Sequence, residues 1–475
     1  MYNHIKEQNG TRATRGMRRL IVAGLMAVMV LSLTACPGSS STKKDDTPAE
    51  QAALGATTNV NAIREFESAV AVFEASEGKD LATVKNHLES ALKEDSRFGK
   101  AWFNLGVVHE LSGQPGEARD AYNKALQNAP KLGAAHVNLG MMELEAGNRD
   151  KAWDIFQKAL EVQPYNAEAH NNIAVLLRER EQYGEAVNHA RRSLAGDSQN
   201  TRAYSNLARI YYDRGTYEVA KLVMYNATQI DENDAELYNI LGLVALAQND
   251  VTEAIGHFQR TLTLDPEHIP ALLNLGAVIL NVRDYERATT FFEKVLAQEP
   301  EHLDALMSVA VAKRGQGDLA GARQYYEKVL ALDPDNAIVQ FNLGVLEHEH
   351  LAQNAQMGAE GEEPPEDPIG QMDWNIKNMQ SSIVHYEKAL EHYRQYLYLD
   401  KSGDAEQRDI TNERIGQVSQ IIQMTHEQIP MMEQQKIDIK SSLEEQARWE
   451  AEQEASGGDD GGGAGGGAGA SDDGA

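Results

Sequence analysis

The chain has 475 residues, of which 42% are hydrophobic and 24% are charged, as in an ordinary folded protein. Its 44 Lys and Arg residues face 72 Asp and Glu residues, which gives a net charge of -28. This acidity argues against nucleic acid as a ligand of a basic surface, so we expect protein partners instead. With one cysteine, no intrachain disulfide can form, and the fold must depend on packing.

The first 35 residues have the layout of a signal peptide. Four arginines precede an uncharged run from Leu20 to Leu33, and Leu33-Thr34-Ala35-Cys36 follows. The run is too short for a stable transmembrane helix but suits the apolar core of a signal peptide. We therefore predict a signal peptide over residues 1–35.

The four residues that end in Cys36 resemble the lipobox of bacterial lipoproteins. The resemblance implies that Cys36 carries a diacylglyceryl group, that the chain is cut before it, and that the new amino group is acylated, for example with palmitate. Several acyl chains would anchor the protein stably in a membrane. An ordinary secretion signal followed by an incidental buried cysteine is the alternative.

The residues after Cys36 bear on localisation. Pro37, not an aspartate, follows the cysteine, which favours the outer membrane of the cell envelope with the protein facing the periplasm. Residues 36–62 are rich in Ser, Thr, Ala and Asp, a composition typical of a tether between lipid and fold.

A step of 34 residues then recurs without a gap over residues 99–336. It is marked by seven alanines, Ala118, Ala152, Ala186, Ala220, Ala254, Ala288 and Ala322. A second series at the same step is always glycine or alanine, beginning at Gly106, and a third is always large and aliphatic, beginning at Leu105. Such a step indicates a solenoid whose units bury their apolar faces only against their neighbours.

Each unit contains two helical patterns. Trp102, Leu105 and Gly106 share one face of a first helix. After a turn, Ala118 and Tyr122 share a face of a second helix, and proline ends most units. Glycine or alanine at the crossing lets the two backbones approach closely, so we interpret the repeated alanines as packing residues and not as ligands.

This pattern resembles the tetratricopeptide repeat family, in which Trp-x2-Leu-Gly-x2-Tyr is followed by alanine, an aromatic residue, alanine and proline. Residues 102–106 match it closely. The resemblance implies an all-α fold, a right-handed superhelix of helix–turn–helix units. Seven units occupy residues 99–336, a degenerate unit occupies residues 63–98, and a ninth begins at Ala337.

The resemblance also implies a groove, lined by the first helix of each unit, in which a partner binds. Carried onto this chain position by position, the lining includes Phe103, Val107, Val137, Met141, Asn171, Arg178, Arg202, Arg209, Tyr212, Leu243, Leu273 and Phe341. We expect the three arginines to hold an acidic group of a protein segment and the apolar zones to hold its apolar side chains. Two alternatives stay open: the chain's own carboxy-terminal helices fill the groove, or some positions face the core.

The last third of the chain differs in pattern. Residues 337–400 are predicted to form an interrupted repeat with an acidic loop at 351–372 and a long helix, in which a heptad seam runs from Ile376 to Leu397. Residues 403–455 are predicted to form further helices. The two helical regions would pair as an antiparallel hairpin that caps the solenoid, or the seam would form a coiled-coil dimer. The Gly- and Asp-rich residues 456–475 are predicted to be a disordered tail.

Motifs for catalysis are missing from the sequence. There is no Gly-x-Ser-x-Gly and no Gly-x4-Gly-Lys-[Ser/Thr], and lipid would consume Cys36. His348 and His350 are two residues apart, so on a helix they point roughly 200° apart and cannot share a metal ion. We therefore expect no enzyme activity, no metal and no cofactor.

The whole layout indicates a lipid-anchored scaffold that binds proteins of a multiprotein envelope machine. It resembles the outer-membrane tetratricopeptide lipoprotein of the adventurous gliding-motility machinery. The alternatives are a pilotin-like lipoprotein of type IV pilus assembly and a repeat subunit of a polysaccharide synthesis or export complex.

Overall fold

The computed structural model describes residues 58–358 and 363–457. The predicted signal peptide, Cys36, most of the tether and most of the Gly-rich tail lie outside these residues. Every regular element between residue 58 and residue 457 that the structure describes is helical, with no strand among them. The prediction of an all-α helical repeat fold is confirmed.

The helices follow one another in antiparallel pairs joined by short turns, and the two helices of a pair pack against each other. Those of the first compact body, which extends to Val278, are α1 (Val60–Ala75), α2 (Leu81–Glu94), α3 (Gly99–Leu111), α4 (Pro115–Asn128), α5 (Gly133–Glu145), α6 (Arg149–Val162), α7 (Ala167–Glu179), α8 (Tyr183–Gly196), α9 (Thr201–Asp213), α10 (Tyr217–Thr228), α11 (Ala235–Ala247) and α12 (Val251–Leu264). Helix α13 (Ile269–Asn281) follows.

Side-chain caps fix where many of these helices begin. The Asn166 carboxamide oxygen accepts from the backbone N–H of Ala169 at 2.8 Å, and Asn200 accepts from Ala203 at 3.0 Å. Each cap satisfies one of the backbone donors that the first turn of a helix leaves without a partner. The chain can therefore start a new helix at nearly the same place in every repeat.

Glycine sets the distance between the two helices of several pairs. A Cβ built on Gly106 would lie 2.5 Å from the ring of Tyr122, and one on Gly140 or Gly242 would lie 2.5 Å from Phe156 or Phe258. An alanine would therefore collide with the aromatic ring. The seven alanines of the 34-residue series are all fully buried, as expected for packing residues.

A polar side chain early in several first helices ties that helix to the turn before it. Trp102 Nε1 donates to the backbone oxygen of Ser96 at 2.8 Å. His170 Nε2 lies 3.0 Å from the backbone oxygen of Pro164 in the same relation. These bonds hold successive repeats in register, so His170 has a structural role.

The second compact body begins at Ile279 and holds α14 (Tyr285–Gln298), α15 (Leu303–Gly315), α16 (Leu319–Leu332), α17 (Ala337–Val345), a π-helical turn (Leu346–Leu351), α18 (Ala352–Met357), α19 (Pro368–Leu399) and α20 (Ala405–Gly457). Residues 351–357 and 368–372, which composition assigned to an acidic loop, are helical. Pro430 lies inside α20, which continues past it to Gly457.

Helix α19 completes the interrupted ninth repeat. A Cβ on Gly344 of α17 would lie 2.6 Å from the ring of Tyr393 of α19, the contact that Gly106 makes with Tyr122. Ala389, four residues before Tyr393, is fully buried like the alanines of the regular units. The ninth repeat is thus a complete pair with an insertion: its first helix, α17, continues through the π-helical turn and α18, and its second helix, α19, is longer than those of the regular units.

Helix α20 runs antiparallel to α19. Lys436 Nζ lies 2.6 Å from Asp373 Oδ1, and Arg408 Nη1 lies 3.0 Å from Asp400 Oδ2. Val418 of α20 is fully buried in the cluster that contains Tyr386 and Tyr393. The heptad seam of α19 therefore packs within this chain, against α17 and α20.

Candidate partner-binding surface

Five of the residues predicted to line the groove are buried in the core: Phe103, Val107, Val137, Asn171 and Leu273. The fifth residues of α7 and α11, Asn171 and Asn239, face the next first helix. There Asn206 Nδ2 donates to Asn171 Oδ1 at 2.9 Å, and Asn274 does the same to Asn239 at 3.2 Å. A partner could not reach these side chains, so the accessible lining is narrower than the sequence indicated.

Six predicted lining residues of the first body are half-buried and reachable. They lie on α5, α7, α9 and α11 and are Met141, Arg178, Arg202, Arg209, Tyr212 and Leu243. We call this set the first-helix face. It combines apolar side chains with guanidinium groups on consecutive repeats.

Each arginine of the first-helix face already has a carboxylate partner. Arg178 Nε lies 3.5 Å from Asp213 Oδ2, and Arg202 Nη1 lies 4.0 Å from Glu168 Oε2. Arg209 is bonded to Glu236. A partner's acidic group would therefore join or displace an existing ion pair, which the sequence alone did not reveal.

Among the carboxylates paired with these arginines, Glu236 is the one whose ionised form is most strongly stabilised. Burial raises its pKa, but Arg209 and His268, whose Nε2 lies 3.2 Å away, outweigh burial and lower the pKa to about 2. The charged form of Arg178, in contrast, is destabilised: burial lowers its pKa, and the positive charge of Arg209 lowers it further. An additional carboxylate beside Arg178 and Arg209 would relieve their repulsion.

Tyr212 supplies the aromatic part of the first-helix face. Its ring packs edge-on against Tyr217 with centroids 5.5 Å apart, and burial raises the pKa of its hydroxyl. A rigid aromatic ring beside paired guanidinium groups suits the recognition of a peptide with both apolar and acidic side chains.

Phe341, the remaining predicted lining residue, belongs to the second body and is covered there. Its ring packs against Tyr393 and Tyr396 with centroids 5.8 and 5.5 Å away, and the Arg414 guanidinium lies 5.7 Å above it. Arg414 is in turn bonded to Glu349. At this position the chain's own carboxy-terminal helices occupy the lining.

The second body also has a surface cleft of about 350 Å³ that the sequence did not indicate. Arg323, His385 and Lys388 line it with Leu319 and Leu351. Arg323 and His385 both bind Glu347, which is fully buried in the π-helical turn. A similar contact joins Arg119 to the buried Glu143 in the first body. The bond between Arg323 and Glu347 therefore primarily holds adjacent repeats together.

No group of three or more His, Cys, Asp or Glu residues in the described ranges is arranged to hold a metal ion. Among the same residues, no helix is both long enough and apolar enough to cross a membrane.

Repeat-family profiles match the chain over the regular units. Three described as tetratricopeptide repeat match residues 99–132, 132–199 and 171–235. A fourth, described as the cytochrome c-type biogenesis protein H TPR domain, matches residues 222–338. No curated protein matches the sequence.

Several solved structures are similar to parts of the chain. Pseudomonas aeruginosa pilF is 24% identical, with a TM-score of 0.38 over 46% of this chain and 94% of that chain. PilW, a type IV pilus biogenesis factor, is 22% identical, with a TM-score of 0.40 over 46% and 99%. A tetratricopeptide repeat protein from Parabacteroides merdae is 18% identical, with a TM-score of 0.44 over 54% and 99%.

Similarity at this level concerns the fold and does not extend to function. Two of the profiles, over residues 99–132 and 132–199, cover the helix pairs α3–α4, α5–α6 and α7–α8. The chain belongs to the tetratricopeptide repeat proteins.

Proposed function

We propose that the chain is a lipid-anchored scaffold that binds other proteins and helps to assemble a multiprotein machine of the cell envelope. The observation that carries this proposal is the first-helix face, where reachable apolar and charged side chains recur on α5, α7, α9 and α11. Tetratricopeptide repeats are interaction modules, and repeat arrays use such extended surfaces to hold partners.

The chemistry of the face indicates the partner segment. Met141, Tyr212 and Leu243 would bury apolar side chains, each worth about 1.5–3 kcal/mol when fully desolvated. A carboxylate of the segment would approach Arg178 and Arg209, whose positive charges oppose each other. We therefore expect an amphipathic segment with at least one acidic side chain.

Variants of the face test this binding. Arg202→Glu combined with Leu243→Asp changes two half-buried side chains, whereas Arg209→Glu would add a carboxylate beside Glu236 and disturb the fold. In a pull-down from crosslinked envelopes, the double variant should capture at least tenfold less partner. Tyr165→Asp, at a tyrosine that is 85% exposed, is the matched control. Undiminished capture by the double variant would contradict the proposal.

The lipid anchor rests on the sequence around Cys36. Several acyl chains hold a protein stably where one chain binds only marginally. Cells grown with labelled palmitate should label the wild-type chain and not Cys36→Ser, and density fractionation should place the label in the outer membrane. An unlabelled wild-type chain would exclude the anchor.

Gliding motility is the machine that we place first, because of the order of lipobox, acidic repeat array, interrupted last unit and helical carboxy terminus. A pilotin-like role in type IV pilus assembly and a role in polysaccharide synthesis or export are the alternatives. The match of residues 222–338 to a repeat domain named for cytochrome c biogenesis supports an assembly role in general. The identity of the captured proteins distinguishes these machines.

A further inference from the structure

Helix α10 has an exposed apolar stripe on the second-helix side of its repeat. Val219, Leu222 and Tyr225 are 41%, 61% and 41% exposed. At 100° per residue they lie within a sector of about 120°, with Leu222 in the middle. The residues at the position of Leu222 in the other regular units are polar or glycine: Asp120, Asp154, Asn188, Gly256, Thr290 and Gln324. The stripe is therefore specific to this repeat.

Arginines lie on both neighbouring second helices. Arg191 and Arg192 are exposed on α8, and Arg260 is exposed on α12. Arg191 donates to the Tyr211 hydroxyl at 3.0 Å, and Arg260 lies 5.5 Å from the Tyr238 ring. None of these three arginines forms an ion pair with another residue that the structure describes.

Two carboxylates beside the stripe already have hydrogen-bond partners. Glu218 accepts from Gln248 at 2.6 Å, and Glu253 accepts from Lys221 at 2.7 Å. In a chain with a net charge of -28, the helices on both sides of the stripe thus carry arginines that have no ion-pair partner among the described residues. Charge complementarity calls for an acidic amphipathic helix.

The chain itself carries such a helix at the end of α20. The ion pair between Lys436 and Asp373 still joins α20 to α19, but every residue from Lys440 to Glu454 is exposed. We call residues 440–454 the overhang. Leu443 and Trp449 are 47% and 61% exposed and lie about 120° apart, on either side of Gln446.

The overhang is acidic around this apolar sector. It contains Glu444, Glu445, Glu450, Glu452 and Glu454 against the cations Lys440 and Arg448. Leu443 and Trp449 have the six-residue spacing of Val219 and Tyr225, so the two sectors match in width. Charge, polarity and helical spacing of the overhang complement those of the α10 stripe.

We propose that the overhang of one copy of this chain docks on the α10 stripe of a second copy. Leu443 and Trp449 pack across Leu222, and the glutamates face Arg191, Arg192 and Arg260. The two surfaces are different, so the contact is head-to-tail and can extend from copy to copy. The contact involves few side chains and is weak in solution, but anchoring in one membrane would raise the effective concentration.

The interaction is tested with the full chain in density-matched detergent by analytical ultracentrifugation. The wild-type mass should rise with concentration. Leu222→Asp removes the stripe and Trp449→Asp removes the overhang, so each variant alone should remain monomeric. An equimolar mixture retains one intact stripe and one intact overhang, and it should form a 1:1 dimer that grows no further. Tyr165→Asp should behave as wild type, and circular dichroism should show unchanged helix content.

Three results would overturn the proposal. Wild-type chain that stays monomeric up to about 100 µM would exclude self-association of useful strength. Self-association of either variant at the wild-type level would remove its surface from the contact. A mixture that stays monomeric would show that the two surfaces do not meet, as expected if a foreign acidic helix occupies the stripe.

Discussion

Gly344 and Tyr393 make the same close contact across 49 residues of sequence that Gly106 and Tyr122 make across 16. In both pairs a Cβ on the glycine would lie 2.5–2.6 Å from the aromatic ring. The contact identifies α19 as the second helix of the ninth repeat. The inserted residues lengthen both helices of that pair, and the repeat packing continues beyond them.

Gly344→Ala should therefore destabilise the second body. The added methyl group meets the Tyr393 ring, and overpacking of this kind lowers the free energy of unfolding by about 1–3 kcal/mol. Urea unfolding followed by circular dichroism measures the effect. Gly416→Ala in α20 is the control, because nothing lies within 4 Å of its built Cβ. A Gly344→Ala chain as stable as Gly416→Ala would mean that the contact is not close.

Val418→Asp should release α20 from α19. Val418 is fully buried, and a carboxylate placed there without a partner lowers the free energy of unfolding by about 3 kcal/mol or more. Hydrogen exchange should accelerate in α19 and α20 while α3 to α12 keep their protection. Met424→Asp, at a side chain that is 45% exposed on the same helix, should change little. Unchanged exchange in Val418→Asp would refute the packing of α20 on α19.

Much of the fold could be predicted because the same packing residues recur in each repeat at a constant step of 34 residues. The alanines and glycines of residues 99–336 predicted the helix crossings that the structure contains. The sequence predicted an interrupted ninth repeat with a long helix, but not that this helix packs as the second helix of the repeat. An insertion precedes it, so Tyr393 falls out of the 34-residue phase. The four-residue step from Ala389 to Tyr393, the same as from Ala118 to Tyr122, was the signal that could have located it.

The site was harder to predict, because a residue's position in the repeat pattern of the family does not determine whether it is buried or forms an ion pair. Phe103 and Asn171 occupy groove positions but are buried, Phe103 against Tyr122 and Asn171 against Asn206. Arg178 and Asp213 pair across one repeat, a relation that depends on how the helices stack. Opposite charges spaced about one unit apart were the available indication that these arginines have partners.

Arg209→Met tests how strongly the network of Glu236 is held. The substitution keeps the apolar stem but leaves the Glu236 carboxylate with only His268 and the Asn239 amide, so the free energy of unfolding should fall by about 1–3 kcal/mol. The pKa of Glu236 should rise from about 2 toward its usual value. In the wild-type chain the stability that ionised Glu236 contributes is lost as pH falls from 4.5 toward 2. In Arg209→Met the remaining contribution should be lost at higher pH.

A double-mutant cycle with Glu236→Gln measures the coupling at pH 7. The two substitutions together should be less harmful than the sum of their separate effects, because the second removes the carboxylate that the first leaves without its guanidinium partner. Strictly additive effects would contradict the ion pair.

The contact between His170 and His189 should make the stability of the fold fall with pH in a higher pH range than the one in which carboxylates titrate. His170 Nε2 donates to the Pro164 carbonyl, so its Nδ1 accepts from His189 Nδ1 at 3.0 Å, which requires the His170 ring to be neutral. Burial, the neighbouring ring and Arg192 lower the pKa of His189 to about 4. As pH falls, His189 therefore takes up a proton in the unfolded chain before it does so in the folded chain. The contribution of this histidine to the free energy of unfolding, present above pH 6.5, is lost as pH falls toward 4.

Urea midpoints at pH 7.5 and pH 5 measure this loss. His189→Leu removes the titrating group and should shrink the difference between the two midpoints, although it also removes a hydrogen bond at pH 7.5. His426→Leu, at an exposed histidine, should leave the difference unchanged. Equal differences in wild type and His189→Leu would show that the pair does not titrate as described.

Photo-crosslinking at Tyr212 tests the scaffold role most directly. A photoreactive phenylalanine analogue at Tyr212 lies on the first-helix face, and the same analogue at the exposed Tyr165 is the matched control. In living cells the analogue at Tyr212 should capture a reproducible set of envelope proteins that the analogue at Tyr165 does not, and Leu243→Asp should abolish that capture. Identical products from both positions, or capture that Leu243→Asp leaves unchanged, would contradict partner binding on this face.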